Sequence, residues 1–170
     1  GCVMALVRNR RWGAARSGSP WARAADWLTL PTIASGTQGF VGLIGVDDTE
    51  TNFVAFVFSG GNYTVDWGDG SAPENFAAGA TAQHSFSYSR LSAGTVESRG
   101  WRQAIVSVTP QAGQTITGFS INRRHSTLTR KKATKWLDIG VSFPNCTSLF
   151  DAFGSTAGAS FYLESISKIA

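Results

Sequence analysis

The chain has 170 residues, 42% of them hydrophobic and 12% aromatic, with a formal net charge of +4. Those proportions exclude a disordered chain, and the length suits one core, or one domain plus part of a second. Charged residues make up only 15%, beside 19 glycines; low charge, β-branched residues and frequent turn formers point to an all-β, loop-rich chain of extracellular or particle-surface type.

The positive charge is unevenly spread. Arg8, Arg10, Arg11, Arg16 and Arg23 precede the first acid, Asp26, and a second cluster (Arg123, Arg124, Arg130, Lys131, Lys132, Lys135) contains no acid. Basic segments can bind nucleic acid, but neither cluster has the aromatic interleaving of a nucleic-acid module. A solvated loop, or contact with an acidic neighbouring subunit, is the expectation instead. Cys2 and Cys146 stand alone, without CxxC or Cys/His ligand spacing, so no zinc site is expected; either a disulfide between them or two thiols fits, with thiols preferred. No run approaches the roughly 18 apolar residues of a membrane span.

In chain order, residues 1–25 read as a basic arm broken by Arg-Ser-Gly-Ser-Pro at 16–20. Trp12 and Trp21 are large apolar groups in this polar segment and are candidate assembly contacts. Asp26–Pro31 reads as a short extended segment, with Pro31 suited to a sheet edge. Gly39–Val46 and Phe53–Phe58 are β-type runs, and the polar 47–52 stretch between them suits a hairpin or a longer loop. Three acids lie in that loop, but the alternating oxygen ligands and the glycine of an EF-hand are missing, so a solvated loop is preferred to a calcium corner.

Gly60-Gly61-Asn62 is a turn, after which Tyr63, Val65 and Trp67 alternate with Thr64 and Asp66 as in a half-buried strand. That strand runs into Gly68-Asp69-Gly70, whose residues tolerate positive φ and can fold a side chain back on the turn. Residues 72–82 look irregular, and His84–Tyr88 alternates as a short strand. After a loop at 89–100, Ala104–Thr109 carries the clearest strand pattern in the chain. Thr115–Asn122 reads as a strand with a bulge at Gly118. Beyond the basic loop, short alternating runs at 136–141, 143–149 and 163–169 recur, with Leu137, Leu149 and Leu163 spaced like turns of a β-solenoid or leucine-rich repeat.

Asp66 and Asp69 could suggest a glycosidase pair, but the alternation points Asp66 away from the face of Trp67, and Asp69 sits where its carboxylate can cap the turn. His84 is expected to bond the acidic turn; His125 has no candidate partner. There is no nucleophile elbow, phosphate loop or dinucleotide fingerprint. No catalytic residue, cofactor or metal ligand is assigned.

Tyr63–Thr109 resembles the PKD-type β-sandwich, an immunoglobulin-like family, through Trp67-Gly68-Asp69-Gly70, through His84 with Phe86 and Tyr88, and through the strand at Ala104–Val108. It departs from that pattern at 89–102, where a short approach to the last strand becomes a longer loop. A wider resemblance covers most of 26–170. It rests on Asp26–Pro31, Phe40–Leu43, Asn52–Ala55, Tyr63–Gly70, Gln103–Gly113 and Trp136–Ile139, and is to tailed-phage structural proteins in which a PKD-like module precedes BspA-like leucine-rich repeats.

The resemblances do not reach the basic arm (1–25); beyond it they imply an all-β chain, an immunoglobulin-like sandwich (26–122) and a basic loop leading into a repeat-like β extension (123–170). They imply a non-enzymatic virion component, a tail, fibre or capsid-surface protein. Its partners would be other virion proteins, copies of itself and a host-surface glycan or protein; from the residues themselves, Trp12, Trp21, Arg123, Arg124, Lys131 and Lys132 are the candidate assembly contacts. The alternatives are a bacterial surface or secreted module that binds glycan or protein, and an accessory domain of a hydrolase.

Overall fold

The computed structural model describes residues 22–48, 51–121, 123, 125–128 and 135–146, together with the backbone of 162–169. The described residues form strands β1 (Gly39–Val46), β2 (Asn52–Ser59), β3 (Tyr63–Asp66), β4 (Glu74–Phe76), β5 (Thr81–Phe86), β6 (Arg102–Pro110), β7 (Gly118–Ser120), β8 (Lys135–Ser142) and β9 (Tyr162–Ile169). Only two single 3-10 turns, Tyr88–Arg90 and Ala93–Thr95, interrupt them. The fold is all-β, as the composition and alternation predict.

Six strands form one sheet in the order β4-β3-β6-β1-β8-β9, and three form the other in the order β5-β2-β7. Every pairing is antiparallel except that of β8 with β9, which is parallel. A single core lies between the sheets: Phe40, Ile44, Val65, Trp67, Val106, Val108 and Trp136 from the large one meet Val54, Phe56, Phe58, Phe86 and Phe119 from the small one. Each fully buried side chain of this size contributes roughly 1.5–3 kcal/mol.

The pattern of β1 follows from its position. All eight of its residues are buried, which requires cover on both faces and produces a nearly continuous apolar run in place of alternation. Phe40 and Ile44 face the central core, while Val41 and Leu43 face outward into a second cluster with Trp27, Leu30 and Leu137. Trp27 and Leu30 come from the segment before β1. That segment is not the expected edge strand; it turns at 25–27 and continues irregularly. Its backbone is held by side chains of the sheet. The Leu28 amide donates to Gln103 Oε1 at 2.9 Å, and Gln103 Nε2 donates to the Asp26 carbonyl at 2.9 Å.

The connection between β1 and β2 is likewise no hairpin. The two strands lie in different sheets, and the 47–52 stretch crosses between them, clipped by Asn52, whose Oδ1 accepts from the Asp47 amide at 3.0 Å and whose Nδ2 donates to the Asp47 carbonyl at 2.7 Å. The irregular region expected at 72–82 contains the short strand β4 and the start of β5. Strand β7 is shorter than expected and begins at Gly118 without a bulge there.

Strand β8 is bonded to β1 from Gly39–Ser142 to Gly45–Lys135, so the sheet runs unbroken across the boundary expected at 122/123. A register shift between Leu43 and Ile44 leaves Leu137 as the extra residue on β8. Leu137 therefore joins the outer cluster while Trp136 and Ile139 stay in the central one.

Candidate functional site

The acidic turn after β3 is where the sequence concentrates chemistry-bearing side chains, and the fold brings most of them together. Tyr63, Val65 and Trp67 point into the core and are fully buried. On the facing sheet Ala82, His84 and Phe86 alternate inward along β5, which sets the His84 ring flat on the Trp67 indole, centroids 4.8 Å apart at 9°. Phe86 meets the same imidazole edge-on at 4.7 Å. Trp67 Nε1 donates to Glu74 Oε1 of β4 at 2.9 Å, satisfying the one polar atom of a buried indole.

The carboxylate of Asp69 is fully engaged inside the protein. Its Oδ1 accepts from the Ser71 amide at 3.0 Å and the Ser71 hydroxyl at 2.5 Å, and its Oδ2 lies 2.9 Å from His84 Nε2. Burial pushes the Asp69 carboxyl up, but the hydrogen bonds from the Ser71 hydroxyl, His84 and the Ser71 amide outweigh it and bring the group down to about 2. Asp66 is exposed and accepts instead from the Gly68 amide at 2.9 Å. The two acids therefore cap successive parts of one turn and do not face a shared substrate position.

The glycines of the turn are set by geometry. Gly68 has φ +71°, and a Cβ there would run into the backbone carbonyl of Ile105 on β6; Gly70 has φ +83° with open space around it. Tyr88 is not part of this cluster. It lies past the end of β5, at the start of the first 3-10 turn. Its hydroxyl donates to the Gly100 carbonyl at 3.0 Å, and its ring carries the Arg102 guanidinium at 4.3 Å. That guanidinium also donates to the carbonyls of Tyr88 and Leu91, bracing the long 89–100 loop. Elsewhere on the sheet, burial pushes the Tyr63 phenol up to about 12, and its hydroxyl donates to the Ala80 carbonyl at 2.6 Å.

Of the candidate assembly contacts, Trp12, Trp21, Arg124, Lys131 and Lys132 lie outside the described residues. Arg123 is exposed, and its amide donates to the Ala55 carbonyl at 2.9 Å, so the start of the basic loop is fastened to β2. His125, expected to lack partners, packs edge-on against Phe53 of β2 at 5.4 Å and bonds within its own turn. Lys135 reaches Asp47 at 3.4 Å and sits over the Trp101 ring at 4.5 Å.

One further pairing has no local sign in the residues around it. Asp138 on β8 is fully buried and accepts from Arg23 Nε at 2.8 Å; the same guanidinium donates to the carbonyls of Trp27 and Leu28. Arg23 thus belongs to the strap before β1, although it lies within the stretch expected to be the basic arm. Among the described residues no three His, Cys, Asp or Glu side chains group as a metal site, and no helix is long and apolar enough to cross a membrane. The chain matches no family model, no curated protein and no solved structure.

Proposed function

We propose that this chain is a non-enzymatic structural protein of a tailed-phage virion, a tail, fibre or capsid-surface component that acts through protein–protein contacts. On this reading residues 26–122 are a PKD-type immunoglobulin-like module, and the strands after the basic loop begin a leucine-rich-repeat-like stack. The observation that carries the proposal is the parallel pairing of β8 with β9. In the backbone register Trp136 pairs with Leu163 and Ile139 with Ile166, each partner 27 positions further along the chain. That spacing falls within the 20–29 residues of a leucine-rich repeat, and stacking at such a period extends one sheet edge into a stiff rod. The acidic turn adds support, because Trp67, Asp69 and His84 brace the corner of the sandwich from within.

Assembly contacts then fall to the arm, with Trp12 and Trp21, and to the basic segment 123–135. Electron microscopy of particles carrying the chain tests this directly. The expected result is the chain at regularly repeated positions, with residues 1–21 laid against a neighbouring subunit. Absence from the particle, together with saturable glycan binding by the isolated monomer, would favour a surface-binding module instead.

A further inference from the structure

The two ends of the sandwich differ in charge. Strand directions bring segments 31–38, 60–62, 77–80, 111–117 and 143–146 to one end, and none of them contains Asp, Glu, Lys, Arg or His. Surface connections in a chain that is 15% charged would be expected to carry several such residues. The opposite end and its approaches carry Asp47, Asp48, Asp66, Arg90, Arg99 and Lys135. Lys168 on β9 is level with Gly140 in the backbone register, short of the end of β8. The uncharged segments are also tied to one another. Gln38 Oε1 accepts from the Ile116 amide at 2.8 Å, Asn62 Oδ1 from the Ala78 amide at 3.0 Å and Gln114 Oε1 from the Asn62 amide at 3.0 Å. Gln111 Nε2 donates to the Tyr63 carbonyl at 3.3 Å, and the Ser142 hydroxyl to the Thr37 carbonyl at 2.7 Å. With those side-chain groups turned onto backbone, Ala34, Thr37, Ala78, Ala112, Thr115 and Pro144 are among the residues left exposed.

We propose that this uncharged end is a self-association face, on which a second copy of the chain docks end to end through the same surface. Depletion of charge marks the buried centre of protein interfaces, and loops already fixed by internal bonds lose little freedom on docking. The composition also selects the occupant. Nucleic acid needs cations to neutralise its phosphates, and these segments have none. Ligand sites for small polar molecules combine aromatic walls with free polar groups; here no aromatic ring is exposed among the described residues, and several of the amides already bond backbone. A neighbour bringing charge to this face would bury it unpaired, which is costly. Head-to-tail stacking of this chain would do so, because the opposite end is charged. The same end of a second copy brings none, so the two faces meet about a two-fold axis in a closed, isologous contact. The inference stands on this surface and not on the virion reading.

The test is sedimentation equilibrium of the full chain over a concentration series reaching the millimolar range. Ala34→Glu and Ala112→Glu place a carboxylate on the face from two separate loops, both at exposed positions; Arg90→Glu changes the charge of the opposite end. Denaturant midpoints matching wild type show that each variant is folded. The expected result is a reversible wild-type dimer whose dissociation constant rises about tenfold or more in each alanine variant and stays unchanged in Arg90→Glu. A wild-type chain that remains monomeric throughout, or a dimer that both alanine variants leave intact, would overturn the proposal. So would a dimer that Arg90→Glu weakens as much as they do.

Discussion

Arg23 and Asp138 meet across 115 positions of sequence, the guanidinium Nε 2.8 Å from a carboxylate that has no solvent exposure. The pair fixes the strap that covers the outer face of β1, because the same guanidinium holds the Trp27 and Leu28 carbonyls. Removing one partner of a buried pair is costlier than the pair itself is stabilising. Arg23→Ala should lower stability by about 2 kcal/mol, less than the full buried-pair figure because Arg23 is partly exposed. Denaturant midpoints measure the loss, and faster exchange of the Leu28 amide would locate it in the strap.

Asp69 makes the sandwich corner acid-sensitive. Its carboxyl lies at about 2 in the folded protein against an ordinary 3.8, so the native state binds this proton less readily than the unfolded chain. The associated stability is fully present above about pH 4 and is lost as pH falls toward about 2; its size is about 2 kcal/mol. Asp69→Asn should be less stable than wild type at pH 7, with the gap closing between pH 4 and 2. Equilibrium unfolding at a series of pH values checks this, and a constant gap would contradict it.

Gly68 and Gly70 share a turn but not a constraint. Gly68→Ala meets both a positive φ and the Ile105 backbone, so β6 must shift; the expected loss is about 3 kcal/mol or more. Gly70→Ala meets only the positive φ and should cost about 1 kcal/mol. Melting temperatures of the two variants should therefore separate clearly.

Arg102 braces the 89–100 loop from one nitrogen: Nη1 donates to the Tyr88 and Leu91 carbonyls while the guanidinium lies over the Tyr88 ring. Arg102→Lys keeps the charge but loses the planar group on that ring. A loss of about 1 kcal/mol is expected, with faster exchange of the Leu91 amide.

Much of this architecture was legible in the residues. β1, β2, β6, β8 and β9 all fall on runs whose patterns announce strands, and the Asp69–His84 contact lies where the turn and the inward phase of β5 place it. Partner choice was not legible. A six-residue polar stretch after Val46 suits a hairpin as well as a crossing between sheets, and nothing local distinguishes the two. The strap escaped for a related reason: Trp27 and Leu30 look like strand residues, yet their burial depends on Val41, Leu43 and Leu137, which are remote in sequence. His125 was missed because its partners are amides, which leave no mark in side-chain composition.

The neighbours of β1 also bear on the order in which the protein can form. β1 spans 39–46, but the strands that flank it, β6 and β8, begin at 102 and 135. On the ribosome, its apolar run must wait roughly 60 to 90 residues for either partner, several seconds at typical synthesis rates. Loop closures of that length precede any reward from the central core, which favours slow folding. Trp27, Leu30 and Ile33, made just before β1 and packed with its outer face in the finished fold, can shield that face during the interval.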